Sequence, residues 1–487
     1  MKKESLKEVA IKKNNFFFFP EEDKPGDMLI IGNFDGFLGD IEWKPGKSKS
    51  PYECFTEDMF DEFAETFERN LGSIMSTLNS GHKIVLAASE GMVGYFKRLI
   101  YSMYDLGWIE KNVRNIYAIN IDAIYSKSNT EEEFVENLFK DRTLSNMKFD
   151  YIIQNPPYSG SLHLDFLDKG LDLLKKDGKM VIIEPATWLI NVRKNGKAKK
   201  YDAIKKRIEG HVESVAIENL NKDFGVTQSM PFATTTIDMS QTFPIIEFTC
   251  CGEKRRDITT IYDCNLIGEY KNICSIFGKV KNFGDMMVSH ITNEDKGRDI
   301  WYAKCVGIGK DSLISGAGAA LCAATNERVG MTYDSEVLWC KTKNGNYLIP
   351  YTSIGYHYYK NNVSNEPLRS YDRGKKITDK IAWNVFGTKS EVENWKYFVF
   401  NNKLPLFLNI CLTYNQHNNS VDYLPWLVDK QYTDDEINEM FGFTDDEIEL
   451  INKTIKKYER NSPWFKRYMC GPDSVSDEEV NNFIESL

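Results

Sequence analysis

The chain predicts an α/β protein built on a doubly wound, mainly parallel sheet, and three features carry that expectation. The first is the run at residues 149–153, FDYII, short, aromatic and β-branched, closed by Gln154 and then Asn155-Pro156-Pro157-Tyr158. Strands buried on both faces have this near-continuous apolar character, and the prolines stop such a strand by fixing φ and removing backbone donors. The second is the order strand, helix, strand, loop, strand between residues 82 and 153, the opening of a sheet with right-handed crossovers. The third is size: 487 residues, 42% apolar and 13% aromatic, suffice for two to three domains with cores of their own and exclude a disordered chain.

Taken in order, residues 1–50 give mixed signals. MLIIGNFDGFLGD offers a strand followed by Gly32, Gly36 and Gly39, but no helix pattern follows, so the glycines read as a plain β-turn. Residues 54–75 read as an amphipathic helix with Phe55, Met59, Phe60, Phe63 and Phe67 on one side. HKIVLAASEGMVGYFKRLIYSM then supplies a strand at 84–86, a small-residue turn and a helix; NIYAINIDAIY supplies the next strand, and FKDRTLSNMKFDYII leads into the third. Apolar residues at 164, 166, 167, 171 and 174 have helical spacing over 164–175, and after Asp177-Gly178 the run KMVIIEPATWLI reads as strand and turn. VESVAIENL, FATTTIDM and TFPIIEFTC are further strands, which completes seven by about residue 250. Residues 251–430 lose the αβ alternation. In the tail, Thr433 and Thr444 precede Glu436 and Glu447 by three residues, two capping boxes opening short acidic helices.

The chemistry concentrates at Asn155–Tyr158. A stiff turn at the carboxyl end of a parallel strand lies where open α/β sheets hold ligands. It presents an amide, free carbonyls and a phenol ring. An exocyclic amine on a planar base needs that set, acceptors for its N–H groups and an aromatic face for its ring, with no side-chain base. A surface β-turn with an ordinary tyrosine is the bland alternative. Two other motifs carry nothing: Asp223-Phe224-Gly225 has no kinase partners, and Gly307-Ile308-Gly309-Lys310 lacks the spacing of a phosphate loop.

The stretch FDYIIQNPPY, the helix after it and the strand ending in Pro185 resemble the amino-methyltransferases that modify adenine N6 in DNA. The resemblance is closest to the NPPY-type, Eco57I-like methylases of restriction–modification systems and phages. It implies a seven-stranded S-adenosylmethionine-dependent methyltransferase sheet over residues 1–250, with an N-terminal extension. It further implies a mixed α+β target-recognition domain over 251–430 and an acidic helical tail, 431–487, packed on that second domain. By the same resemblance Asn155, Pro156, Pro157 and Tyr158 are catalytic, and Phe224 is the candidate for a second ring clamping a flipped base. S-Adenosylmethionine would be met by Phe55, by the first turn (Ala87, Ala88, Ser89, Glu90, Gly91), by Asn120 and Asp122 at the second strand end, and by Asp141. Two departures stand out: the first turn lacks the usual D-x-x-x-G-x-G, and Asn120 stands where the family has a ribose-binding carboxylate, a role Glu90 or Asp122 could fill. The activity implied is methyl transfer to adenine N6 in double-stranded DNA. Cytosine N4, RNA or a protein glutamine amide are alternatives at the same turn, and a non-catalytic DNA-binding scaffold is an alternative of another class.

The net charge of −10 argues mildly against a general nucleic-acid coat protein but not against a local basic groove. Residues 191–207, NVRKNGKAKKYDAIKKR, hold eight Lys or Arg in seventeen positions, and Arg193, Lys194, Lys199, Lys200, Lys205 and Lys206 are expected to contact phosphates. Arg369, Arg373, Lys375 and Lys376, around Tyr371, form a second basic group suited to base edges. Ten cysteines without a CxxC or a Cys/His quartet read as reduced thiols, so no metal is expected. No apolar run reaches the length of a membrane span and the start is no signal peptide, which points to the cytoplasm. The resemblance implies a bacterium or phage-infected host and double-stranded DNA as partner, and leaves room for a cognate restriction enzyme; a single copy of the chain is expected.

Overall fold

The computed structural model describes residues 23–32, 65–105, 113–158, 162–190, 197–220, 231–286, 401–412, 423–459 and 461–487, with isolated positions beside them and short strands between 291 and 387. Its centre is a sheet of nine strands among the described residues: β1 (Met28–Gly32), β2 (Ile84–Ala88), β3 (Ile116–Asn120), β4 (Phe149–Asn155), β5 (Leu174–Pro185), β6 (Val212–Glu218), β7 (Phe232–Asp238), β8 (Glu247–Cys250) and β9 (Glu253–Arg255). They lie in the order β3-β2-β1-β4-β5-β7-β6-β8-β9. β1 to β5 run parallel, and β7 enters antiparallel between β5 and β6. Every residue of β1 and β2 is buried, as expected of parallel strands covered on both faces.

Alternate residues of each strand feed two cores. Met28, Ile30, Ile84, Leu86, Ile153, Val181 and Ile183 pack under α1 (Glu65–Asn79) and α2 (Glu90–Asp105). Leu29, Ile31, Val85, Ile152, Met180 and Ile182 face the other way, with α4 (Glu131–Phe139), α6 (Leu162–Leu173) and α8 (Lys197–Ile208). The period of two along each strand thus divides one sheet between two helical layers. Between β3 and β4 the chain also forms the short α3 (Ile121–Tyr125) and α5 (Arg142–Ser145), and α7 (Thr187–Ile190) follows β5.

Three expectations need correction. The strand at 84 does not open the sheet: β1 precedes it and lies inside the sheet, because its MLII run buries both faces and pairs with β2 on one side and β4 on the other. The sheet does not stop at seven strands, since β8 pairs with β6 in parallel and turns through Cys251-Gly252 into β9. Both turn residues have positive φ, 48° and 84°, as a two-residue hairpin matching strand twist requires.

The tail, finally, does not pack only on a second domain. After α9 (Tyr270–Lys281) and α10 (Lys403–Leu412) come α11 (Asp434–Phe441), α12 (Asp445–Lys457), α13 (Pro463–Cys470) and α14 (Asp477–Glu485). Arg467 of α13 pairs with Glu218 of β6 at 2.9 Å, Lys457 of α12 pairs with Glu253 of β9 at 2.7 Å, and all four side chains are buried. The amide of Asn219 donates to the carbonyls of Tyr468 and Met469 at 2.9 and 3.1 Å. These charges need each other out of water, so the tail covers the sheet edge. Residues 251–280 share the same core through Ile258, Ile261, Ile273 and Ile276, which carries the first structural unit past residue 250. The capping boxes of Thr433 and Thr444 form as expected, and Ser476 with Glu479 makes a third.

A second sheet, all antiparallel, follows in sequence: β10 (Ile291–Thr292), β11 (Thr332–Asp334), β12 (Val337–Lys341), β13 (Tyr347–Thr352) and β14 (Ala382–Gly387), in the order β10-β14-β13-β12-β11. No helix among the described residues is long and apolar enough to cross a membrane.

Candidate active site

The strand order reverses between β1 and β4, and open α/β sheets hold ligands outside the carboxyl ends of strands at such a switch. At that point Gly32 is in register with Asn155. Gly32 has φ +102°, and a Cβ built on it would lie 1.9 Å from the Asn155 carbonyl oxygen. Only glycine satisfies both conditions, so β1 ends flush against the turn. On the far side of β4, Gly170 of α6 lies against Gln154, where a Cβ would come within 2.1 Å of Nε2. Gln154 is buried and donates to the Phe166 carbonyl at 3.3 Å, tying the helix to the strand that carries the turn.

Within the turn Pro156 is buried while Asn155, Pro157 and Tyr158 are half-buried. The Tyr158 hydroxyl donates to Asn155 Oδ1. Its ring packs on Phe232 at 5.3 Å between centroids, tilted 59°. Phe232 opens β7 opposite Pro185, the last residue of β5, and Glu184 lies opposite Ala233. Glu184 is fully buried, and burial pushes its carboxyl well above the usual carboxylate range. Burial, and then the Glu184 charge, push the Tyr158 hydroxyl up, so it stays protonated and a donor.

From Asn155 outward the carboxyl ends form a row: Asn155 on β4, Gly32 on β1, Ala88 on β2 and Asn120 on β3, with Ala88 in register with Asn120. Ala87 and Ala88 are buried, Ser89 is half-buried, and Glu90 and Gly91 are exposed at the start of α2. Ser89 Oγ accepts from Met92 N at 3.4 Å, and the Glu90 amide donates to Asp122 Oδ2 at 3.0 Å, joining two neighbouring strand ends. Asn120 caps α3 by accepting from Ala123 N at 3.2 Å. Asp141 accepts from Thr143 N at 2.8 Å and caps α5, on the segment that enters β4 at its amino end, away from Asn155. The expected assignment of strand ends therefore shifts by one. Residues 87–91 end the second strand of the crossover series, Asn120 and Asp122 end the third, and the first strand end is Gly32. Phe55 and Phe224 lie outside the described residues.

The basic run behaves differently from expectation. Lys205 is buried, donates to the Leu189 carbonyl at 2.9 Å, and stands over the rings of Tyr262 and Tyr270 at 5.1 and 5.8 Å. Burial pulls its ammonium down to about 8. It cannot reach a phosphate. Lys200 pairs with Asp165 and Lys206 with Asp202, while Arg207 bridges Asp168 and Asp172 at 2.6 and 2.7 Å. The reason is a complementary acidic stripe on α6: Asp165, Asp168 and Asp172, at helical spacing, face α8 and neutralise much of its charge. That stripe was legible in the sequence. Lys199 remains exposed. Arg193, Lys194, Arg369, Arg373, Lys375 and Lys376 lie outside the described residues.

Sequence reasoning read Gly32 as part of a plain β-turn and passed over Glu184; an acid inside the apolar run MVIIEPATW was the available signal for the latter. At the amino ends of β1, β2 and β4, Asp27, His82 and Asp150 cluster, but Lys175 already stands 2.8 Å from Asp150 and 3.8 Å from Asp27.

No family model matches the sequence, and no curated protein matches it. Solved structures do match. One is the M protein of the type I restriction enzyme EcoKI, 13% identical over 44% of this chain and 41% of that chain, with a TM-score of 0.24. TrmN from Thermus thermophilus is 13% identical over 44% of each chain, with a TM-score of 0.20. The type IIG restriction endonuclease BpuSI is 10% identical over 98% of this chain and 65% of that chain, with a TM-score of 0.28. A further match, to a structure titled for complex assembly of the type I restriction–modification system, covers 32% of that chain, so this chain spans about a third of its length. The strand order described above, not these likenesses, carries the fold.

Proposed function

We propose that this chain transfers a methyl group from S-adenosylmethionine to the exocyclic amine of a planar base, with adenine N6 in double-stranded DNA the preferred substrate. The observation that carries the reading is the Asn155-Pro156-Pro157-Tyr158 turn at the carboxyl end of β4, flush against Gly32 at the switch point. The cofactor would lie across the carboxyl ends of β1 and β2. Gly32 there presents backbone without a side chain, Ala87 and Ala88 are small, and Glu90 offers an exposed carboxylate at the second strand end. A carboxylate on a ribose diol is a charge-assisted pair. With Glu90 in that position the asparagine at 120 no longer argues for a non-catalytic scaffold.

Bound there, the cofactor supplies an electrophilic methyl group; the residues of the turn do the rest. Asn155 Oδ1 and the Pro156 carbonyl accept from the amine, which orients its nitrogen and makes the lone pair more available. Tyr158 stacks on the base, and the proton leaves to solvent after transfer. Catalysis of this kind is positioning and preorganised hydrogen bonding. Extruding the base from a duplex costs a few kcal/mol of unstacking.

Calorimetric titration with S-adenosylmethionine, followed by tritiated methyl transfer to unmethylated genomic DNA, RNA and protein in parallel, tests the reading. Cofactor binding weakened in Glu90→Gln and label in DNA at N6 are expected. Silence at millimolar cofactor would remove the proposal, and label confined to RNA or protein would move it to another substrate.

A further inference from the structure

The two edges of the nine-stranded sheet are finished differently. At one, the tail caps β9: the Lys254 amide donates to Asn481 Oδ1 at 3.1 Å, Asn481 Nδ2 donates to the Gly252 carbonyl at 3.0 Å, and Lys254 pairs with Asp477 at 3.5 Å. At the other, β3 ends the sheet, and among the described residues its one strand partner is β2. Edges left open in this way are usually blunted by lysine, proline or a bulge. β3 reads IYAIN, with none of these, and keeps an unbroken register along β2. The surface around this edge is aromatic. Tyr101, Tyr104, Tyr117 and Tyr125, between 38% and 58% exposed, are four of the six exposed large apolar side chains among the described residues. Tyr117 lies on β3, and Tyr125 on α3 directly after it. α2 returns from β2 to β3 with Phe96, Leu99, Ile100 and Met103 buried, and the right-handed turn of such a helix puts Tyr101 and Tyr104 on its outer flank, toward the edge.

We propose, against the single copy expected from sequence, that β3 is the contact surface for a second copy of this chain, the two β3 strands pairing antiparallel about a two-fold axis at Ala118. Self-complementarity, which a two-fold interface demands, selects this occupant. The register sets Tyr117 against Ile119 of the second copy, an aromatic and β-branched cross-strand pair, and Ala118, the smallest side chain of the strand, against its own image. It also brings Arg114 beside Asp122 of the second copy at both ends of the pair, since each lies four positions from Ala118 on opposite sides. Both are exposed, and Arg114 has no ion pair among the described residues. In such a pair the strands of the two sheets run in opposite directions, so the two candidate sites open on opposite sides. The inference therefore stands apart from the proposed chemistry.

Sedimentation velocity of the full chain at micromolar concentration is expected to give twice the chain mass. Tyr117→Lys, a charge placed at an exposed edge position, should return it to one copy, weakening association roughly a hundredfold or more. Ala118→Cys supplies an independent reading. Under mild oxidation it is expected to form an intermolecular disulfide that neither wild type, with its ten native cysteines, nor Tyr117→Cys forms. Only position 118 meets itself across the axis, at about 4.5–5.5 Å between Cα atoms, within the reach of a disulfide. A dimer that survives Tyr117→Lys and leaves Ala118→Cys without the crosslink overturns the proposal. A wild type that stays a single copy overturns it as well; slow amide exchange across residues 116–120 would then assign the edge to another segment of the same chain, and fast exchange to none.

Discussion

One residue with no reactive group, Gly32, sets the geometry of the turn. Gly32 lets β1 end against the Asn155 carbonyl, and its φ of +102° excludes an ordinary side chain. Gly32→Ala should therefore cost at least about 1–3 kcal/mol from backbone strain, with more from the collision, read by urea denaturation. Methyl transfer should fall with it, because the displaced atom belongs to the turn. Asn155→Ala should keep the fold, since the side chain is half-buried and its described partner is Tyr158. It should lower kcat by about 10²–10³, the usual cost of deleting a preorganised group that acts in the transition state. Near-normal single-turnover rates in that variant would remove Asn155 from the mechanism.

Among elements, α8 is the instructive case. Its basic residues read as a phosphate grip, yet it is docked on α6 by Lys200–Asp165 and Arg207–Asp168/Asp172 and anchored by buried Lys205. Charge runs alone do not separate a ligand-binding face from a face paired inside the protein. Lys205 leaves a pH signature. Its ammonium is held at about 8 in the folded chain, against about 10.4 when unfolded. Between those values the unfolded state binds more protons, so stability rises as pH increases. The contribution is complete above the unfolded value and lost as pH falls through about 8. Wild type should gain up to about 3 kcal/mol between pH 7 and 10.5 relative to Lys205→Met, measured by denaturant titrations at each pH. Parallel pH profiles for the two proteins would show that Lys205 titrates normally.

At the scale of the whole molecule, the tail is bound to the nine-stranded sheet by residues as far as 250 positions apart in the chain. Arg467 reaches from α13 to Glu218 and to Asp477, over a hairpin whose Gly252 amide donates to the same Glu218 at 3.1 Å. Arg467→Met leaves Glu218 buried without its cation and should cost about 3–5 kcal/mol in chemical denaturation. Replacing both by apolar residues should cost markedly less, because no charge is then stranded. Additive losses in the double variant would show that the pair is not coupled. Removal of residues 431–487 should likewise expose the β8–β9 edge and render the remaining chain insoluble, as sedimentation of the truncated chain would report.

What the sequence by itself determined was local. The FDYII run, the proline stop, the α6 spacing and the two threonine capping boxes depend on neighbours a few residues away, so each was legible. The candidate turn was legible to the same extent, because Asn155–Tyr158 lie on one continuous stretch. Tertiary structure decided the rest. β1 became an inner strand because MLII pairs with residues 56 and 123 positions later, Met28 with Ile84 and with Tyr151, and no local pattern ranks such partners. Lys205 became a buried anchor because Tyr262 and Tyr270 close over it from another part of the chain. The Glu184 carboxyl is pushed above its ordinary range by burial because β7 lies beside β5. Charge state and accessibility depend on what surrounds a side chain, and those surroundings come from strand order, which long-range burial selects.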